Sequence, residues 1–246
     1  MCIVDANTQQ ADTGRYLKAF TPDITDLAKE PEAQTPERIR EFLVRQDQYN
    51  LAALLGPARA DEASPLYINA SLYNRAVNAL KPLYDYIIVD TPVAELFHPM
   101  FADFALPQAD FIMVTIAPNV ATILSTEQWL RNITKPKHSP GGFGVPVEKI
   151  GVVLNRYEDG VDFSEDEVRA SLQSVPYLGA IPETTEWKAA NNRADLVVTY
   201  NIPEINDSFA RVLYAATKEE ELLRGMSRIA PQKTGLLTRL RAAFGR

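Results

Sequence analysis

Short apolar runs recur along the chain near residues 2–5, 51–55, 86–90, 111–116, 149–154 and 177–181, and between them apolar residues return every three or four positions. The runs are rich in Ile and Val and show little polar alternation, which predicts strands covered on both faces. The amphipathic stretches predict helices near 36–46, 70–82, 122–133, 165–174, 185–192 and 205–223. Strands alternating with helices predict βαβ units, hence an α/β fold with a mostly parallel sheet and helices on both faces. Ser164 with Glu167 fits a capping box for the fourth helix, and Pro36 fits the first turn of the first. The stretch 135–146, with Pro136, Pro140, Gly141, Gly142, Gly144 and Pro146, predicts a surface loop, and 58–65 a second one. The glycines of the first do not make a phosphate-binding loop, because they precede a strand and no Lys-Ser/Thr follows them.

The ends of the strands carry the chemistry. Ile87-Ile88-Val89-Asp90 runs into Thr91-Pro92, placing a carboxylate at the carboxyl edge of a buried strand. There open α/β sheets bind ligands, and an acid can hold hydrated Mg²⁺ through water; the plain alternative is a strand that stops at a polar turn. Ile3-Val4-Asp5-Ala6-Asn7 repeats the pattern, Val153-Leu154-Asn155-Arg156 ends a third strand, and Ala180-Ile181-Pro182-Glu183 a fourth.

In their order these four segments resemble the ParA/MinD branch of deviant P-loop ATPases, over roughly residues 2–223, and within it the CpaE/TadZ-type pilus-assembly ATPases. The resemblance implies ATP and Mg²⁺ as cofactors, with Asp5 and Asp90 near the metal. Asp5 corresponds to the first acid of an Asp-x-Asp segment whose second acid is Asn7 here. An amide cannot serve as a general base, which leaves hydrolysis open, and Asp5 and Asn7 are equally suited to forming a turn. Asp90 resembles the Walker B acid, and Thr91-Pro92 the start of the switch segment that senses the γ-phosphate. Asn155 matches the asparagine that bonds the adenine edge, Arg156 stacks on or lines that pocket, and Pro182 and Glu183 match the turn that closes over the base. Ordinary strand ends are the alternative for this group.

The Gly-rich, Lys-containing loop that opens such ATPases (Walker A) has no match here, and Met1 falls just before what resembles the family's second strand. A βα unit of about 30 residues is therefore expected to be absent, from a mid-sheet place between the strands at 86–90 and 111–116. Its loss should leave two unpaired inner edges or force them together. An upstream start, a fragment, and a homologue that has abandoned ATP all fit, and nucleotide binding by the chain as given is expected to be impaired.

The 246 residues, 46% apolar and 23% charged, suit one large domain, placed at 1–223 and followed by a tail at 224–246. The net charge of −7 hides an asymmetry: the tail carries six basic residues and no acid, leaving a balance of −13 in 1–223. An acidic body argues against nucleic acid, and against a DNA-partitioning ATPase; the basic tail argues for an acidic surface. In the tail a 100° step gathers Leu236, Leu237, Leu240 and Phe244 on one face flanked by Arg239 and Arg241, as in a helix lying on an anionic membrane; a helix docked on the protein's own core is the alternative.

Cys2 excludes an internal disulfide, and its apolar surroundings predict an inert thiol. The single cysteine and the lack of a secretory-signal pattern set the expected location as cytoplasmic, the basic tail sets it peripheral to the inner face of the cell membrane, and no apolar run approaches the ~20 residues of a membrane span. His98 and His138 lack companions at metal spacing, no Gly-x-Ser-x-Gly occurs, and Trp129 and Trp187 suit core packing. The expected function is an ATP-switched, homodimerising scaffold that positions a pilus or secretion assembly, or division machinery, at the membrane. A pseudo-ATPase that binds partners without nucleotide is the rival.

Overall fold

A computed structural model describes residues 1–92, 95–160, 163–172 and 174–224. The strands are β1 (Cys2–Asp5), β2 (Val44–Gln46), β3 (Leu51–Leu54), β4 (Ile87–Asp90), β5 (Ile112–Ile116), β6 (Ile150–Tyr157) and β7 (Tyr177–Pro182). They form two sheets, ordered β2-β3-β1-β4 and β5-β6-β7. Every pairing is parallel except β2 with β3, so the α/β architecture expected from the alternating pattern is present. It is divided between two sheets, and of the two outcomes expected at its middle the open edges are the one found. Among the described residues β4 pairs only with β1, and β5 only with β6.

The helices are α1 (Thr13–Leu17), α2 (Ile24–Lys29), α3 (Ala70–Leu80), α4 (Leu106–Gln108), α5 (Val120–Thr134), α6 (Glu165–Ser171), α7 (Thr185–Arg193), α8 (Pro203–Thr217) and α9 (Glu221–Arg224), with a π-helical stretch, Met100–Ala105, running into α4. Local chemistry explains several starts. Asn69 caps α3 by accepting from the Leu72 amide at 3.2 Å, and Asn119 caps α5 by accepting from Thr122 at 2.9 Å. The expected box is formed at α6: the Glu167 amide donates to Ser164 Oγ at 3.3 Å, and Ser164 N–H donates to Glu167 Oε2 at 2.8 Å. Near the carboxyl end, Lys218 in the left-handed region (φ 63°) stops α8 and splits the single helix expected at 205–223.

The helix expected at 36–46 does not form, and Pro36 starts nothing. Ile39–Phe42 is a 3-10 turn, and Val44 to Gln46 pair antiparallel with Leu51 to Ala53 across a turn that places Asn50 at φ 48°. Pairing to a neighbouring strand outweighs the helical period there. α1 and α2 were not expected. α2 is held by Asp23, a buried cap whose Oδ1 accepts from Thr25 N at 2.7 Å and Asp26 N at 3.3 Å, while Oδ2 accepts from Ala58 N at 2.9 Å.

Two cores follow from the two sheets. On one face of the first sheet Cys2, Val4 and Leu54 pack with α2, α3 and the π-helical stretch; the second sheet packs Ile116, Val152 and Leu154 against α5 and α6. Leu96 and Trp129 touch both cores, and Phe101 lies 5.6 Å from Trp129 between ring centroids. Helices and loops thus join the halves along one face. On the opposite faces Leu17, Ala53 and Leu55 cluster with Ile3, and Val153 and Leu178 with α8. Close approach of β6 and β7 depends on Gly151, where a Cβ would meet the Leu178 side chain at 2.6 Å.

Candidate functional site

β1 and β4 run side by side in a register that pairs Asp5 with Asp90 at their carboxyl ends, and the Ala6 amide donates to the Asp90 carbonyl at 2.8 Å. The two acids differ in surroundings. Asp5 is fully buried, and both of its oxygens are engaged: Oδ1 accepts from Asn7 N at 3.1 Å and Oδ2 from Thr13 N at 3.2 Å. Tyr73, buried against Phe104, donates its hydroxyl to the Asp5 carbonyl at 3.0 Å. Asp90 is open to solvent and accepts no side-chain hydrogen bond among the described residues. Burial raises the Asp5 carboxyl above the usual carboxylate range, and the two amides only partly offset it. Asp90 is raised by partial desolvation and then by the charges of Asp5 and Asp12.

Asn7 is a turn residue: its Oδ1 accepts from Gln9 N at 3.3 Å and Gln10 N at 3.0 Å. Thr91 and Pro92 are half-buried just beyond β4; residues 93 and 94 of the same segment lie outside the described residues.

At the carboxyl ends of β5, β6 and β7 a second group surrounds a cavity of ≈ 340 Å³, lined by Thr115, Ile116, Ala117, Pro118, Asn155, Arg156 and Glu183. That volume is at the small end of ligand sites. A bulge after Asn155 puts Arg156 at φ 62°, and its guanidinium forks onto Glu183 at 2.6 and 3.3 Å. The Pro182 carbonyl accepts from Trp187 Nε1 at 2.9 Å, which leaves it turned toward α7. Arg156 is therefore an ion-pair partner of Glu183 at the cavity wall, and Asn155 is the half-buried amide inside it.

The expected group of Asp5, Asp90 and Asn155 is thus divided. The acids share one sheet and Asn155 belongs to the other, and the cavity at Asn155 includes neither acid. Sequence reasoning missed Thr13, whose amide holds Asp5, and the wall from Thr115 to Pro118. The polar turn after β1 and Pro118 beyond β5 were the available signals. Among the described residues no cluster of three or more His, Cys, Asp or Glu forms a metal-binding group. His98 Nδ1 accepts from Met100 N at 3.2 Å. Cys2 is buried and its thiol pushed up to about 12, the inert state expected. The membrane-facing residues proposed from sequence, Leu236, Leu237, Arg239, Leu240, Arg241 and Phe244, lie outside the described residues.

No protein-family model matches the chain. It is 28% identical over 127 residues, 50% of its length, to the septum site-determining protein MinD of Helicobacter pylori, and the match spans 45% of that protein. The chain thus spans about half the length of the curated relative it matches. Among solved structures, MinD of Pyrococcus horikoshii complexed with Mg-ADP superposes with a TM-score of 0.68 at 18% identity, covering 91% of this chain and 84% of that one. A ParA family ATPase from Chlorobium tepidum gives 0.64 at 16% identity over 87% and 83% of the two chains. The MinC:MinD complex of Aquifex aeolicus gives 0.62 at 22% identity over 92% and 84%. With its parallel sheets, its helical layers and these neighbours, the chain has the fold of the ParA/MinD-type P-loop ATPases.

Proposed function

We propose that the protein is a nucleotide-responsive positioning protein, of the kind that localises a larger assembly in the cell. The observation that carries this reading is the cavity at the carboxyl ends of β5 to β7, walled by Asn155, Arg156 and Glu183 on a fold whose ligands bind at such strand ends. Asn155 can present both a donor and an acceptor to the edge of a purine, and the Arg156–Glu183 pair fixes the wall beside it. The MinD of P. horikoshii was solved with Mg-ADP, which supports the same ligand class here.

For Mg²⁺ the fit is partial. Asp90 accepts no side-chain hydrogen bond among the described residues and suits a water-mediated contact, whereas Asp5 has already committed its oxygens to Asn7 and Thr13. A cation there would neutralise two crowded carboxylates. Asp5 and Asn7 shape the turn beside the metal position, and Asn7 supplies no base. We extend the proposal to a homodimer that positions a pilus or secretion assembly of the CpaE/TadZ kind, or division machinery. Affinity for ATP is reduced because the chain contains no Gly-rich, Lys-containing loop.

A second reading, a binding module that works without nucleotide, is favoured by the occupied oxygens of Asp5 and the turn-forming role of Asn7. Titration calorimetry with Mg-ATP separates the two. The nucleotide reading expects weak binding that Asn155→Ala reduces about tenfold, the scale of one buried hydrogen bond. No heat at millimolar Mg-ATP would leave only the binding module.

A further inference from the structure

The Pro- and Gly-rich loop 135–146 is folded on itself. The Ser139 amide donates to the Pro136 carbonyl at 2.9 Å, Gly142 to Ser139 at 3.0 Å, Gly144 to Lys135 at 2.8 Å and Val145 to Ile133 at 2.8 Å, while Lys135 Nζ donates to the Pro140 carbonyl at 2.8 Å. The turn requires Gly142, because a Cβ there would collide with the Pro136 carbonyl. Phe143 packs on the second core, and Phe97, 75% exposed, lies beside it with ring centroids 5.7 Å apart. Lys137 and His138 are exposed and make no hydrogen bond or ion pair among the described residues. The loop is thus a preformed knob, aromatic and basic.

That knob stands just before β6, and just after β6 stands its opposite. Residues 128–147 carry Arg131, Lys135 and Lys137 and no acid, whereas residues 157–168 carry six acids and no lysine or arginine. Glu95 and Glu148 border the basic stretch and Arg131 is paired with Glu127, so Lys135 and Lys137 set its charge. In the acidic stretch Glu158, Asp159 and Asp166 are exposed, and Phe163 is an aromatic among them, 41% exposed. The capping box of Ser164 and Glu167 gives this pole its shape, as does the Tyr157 hydroxyl, which donates to Asp159 at 3.2 Å. β6 runs from Ile150 to Tyr157, so at 3.3 Å per residue its ends lie about 23 Å apart, and the two patches cannot meet within one molecule.

We propose that copies of this chain associate end to end, the acidic pole of one copy, with Phe163, seated on the basic loop and Phe97 of the next. Charge selects this geometry. Residues 1–223 balance at −13, so copies approaching side by side repel, whereas unlike ends bring opposite charges together. An anionic membrane or a nucleic acid would meet the acidic body around the loop as well as the loop itself. The contact is heterologous because its two surfaces differ, and each added copy leaves one end of each kind open. It is therefore distinct from a two-fold homodimer, and it grows into a row or closes into a ring. The inference does not rest on nucleotide binding.

The test is sedimentation velocity of the 246-residue chain without nucleotide, in about 0.1 M salt. The mean mass should rise with concentration past that of two copies. One variant carries Lys135→Glu and Lys137→Glu, a second Asp159→Lys and Asp166→Lys, and both are checked for folding by circular dichroism. Each alone should associate at least tenfold more weakly. An equal mixture should form pairs and stop there, since the intact acidic pole of the first meets the intact loop of the second while their altered ends repel. Phe97→Ser, at an exposed position, should weaken association of the otherwise unchanged chain at least tenfold. A mass that does not change with concentration, or that levels off at two copies, would overturn the proposal. So would a mixture that stays single or grows beyond pairs. Association that survives the two lysine reversals would overturn it too, and would assign the contact to the basic tail or to another surface.

Discussion

Asp5 and Asp90 show how one register decides the character of two identical side chains. Paired at the tips of β1 and β4, one is buried and bonded by amides and the other open, yet both hold their protons more tightly in the folded state than in the unfolded chain. The folded state therefore binds more protons above pH 3.8, and stability falls as pH rises from there through the raised folded values. Asp90→Asn removes one of the two charges. It should make the protein about 0.5–1 kcal/mol more stable at pH 7, a value discounted for the exposure of Asp90, and make no difference near pH 3.5. Urea unfolding at both pH values checks this, and an equal effect at the two would rule out the repulsion. That Asp5 and Asp90 end strands was legible in their apolar approach. Their difference was not, because Thr13 and Tyr73, which enclose Asp5, reach it from other elements.

Among the elements, those with a strong internal period were legible and those made by distant partners were not. α3 and α5 begin at Asn caps and carry clear apolar faces, and the capping box at Ser164 stands as read. β2 was read as a helix end because Val44, Arg45 and Gln46 have no strand signal apart from their pairing with β3. The buried cap Asp23 is the sharpest case, since Ala58, one of its partners, lies 35 residues away. Asp23→Ala should cost about 2–3 kcal/mol by losing the α2 cap and stranding the Ala58 amide, measured as a lower urea midpoint. A loss below about 0.5 kcal/mol would mean that water replaces the carboxylate at both places.

For the whole molecule, the parallel α/β architecture was legible from strands apolar on both faces. The division into two sheets among the described residues was legible only through the family resemblance, because no local pattern in β4 or β5 sets their pairing. The charge asymmetry is likewise a whole-chain property, and among the described residues no helix is long and apolar enough to cross a membrane. If the basic tail is a membrane foot, the full chain should sediment with anionic vesicles at low salt. A chain ended at residue 224 should do so at least tenfold less, and 0.5 M salt should release the full chain. Equal sedimentation of both chains would dismiss the tail as the contact.

Each sheet is drawn from one unbroken stretch of chain, the first from residues 2–90 and the second from 112–182. Synthesis on the ribosome can therefore complete one half before the residues of the other have emerged, with few contacts waiting on distant sequence. The first sheet can then be assembled before Trp129, which touches both cores, has been added to the chain.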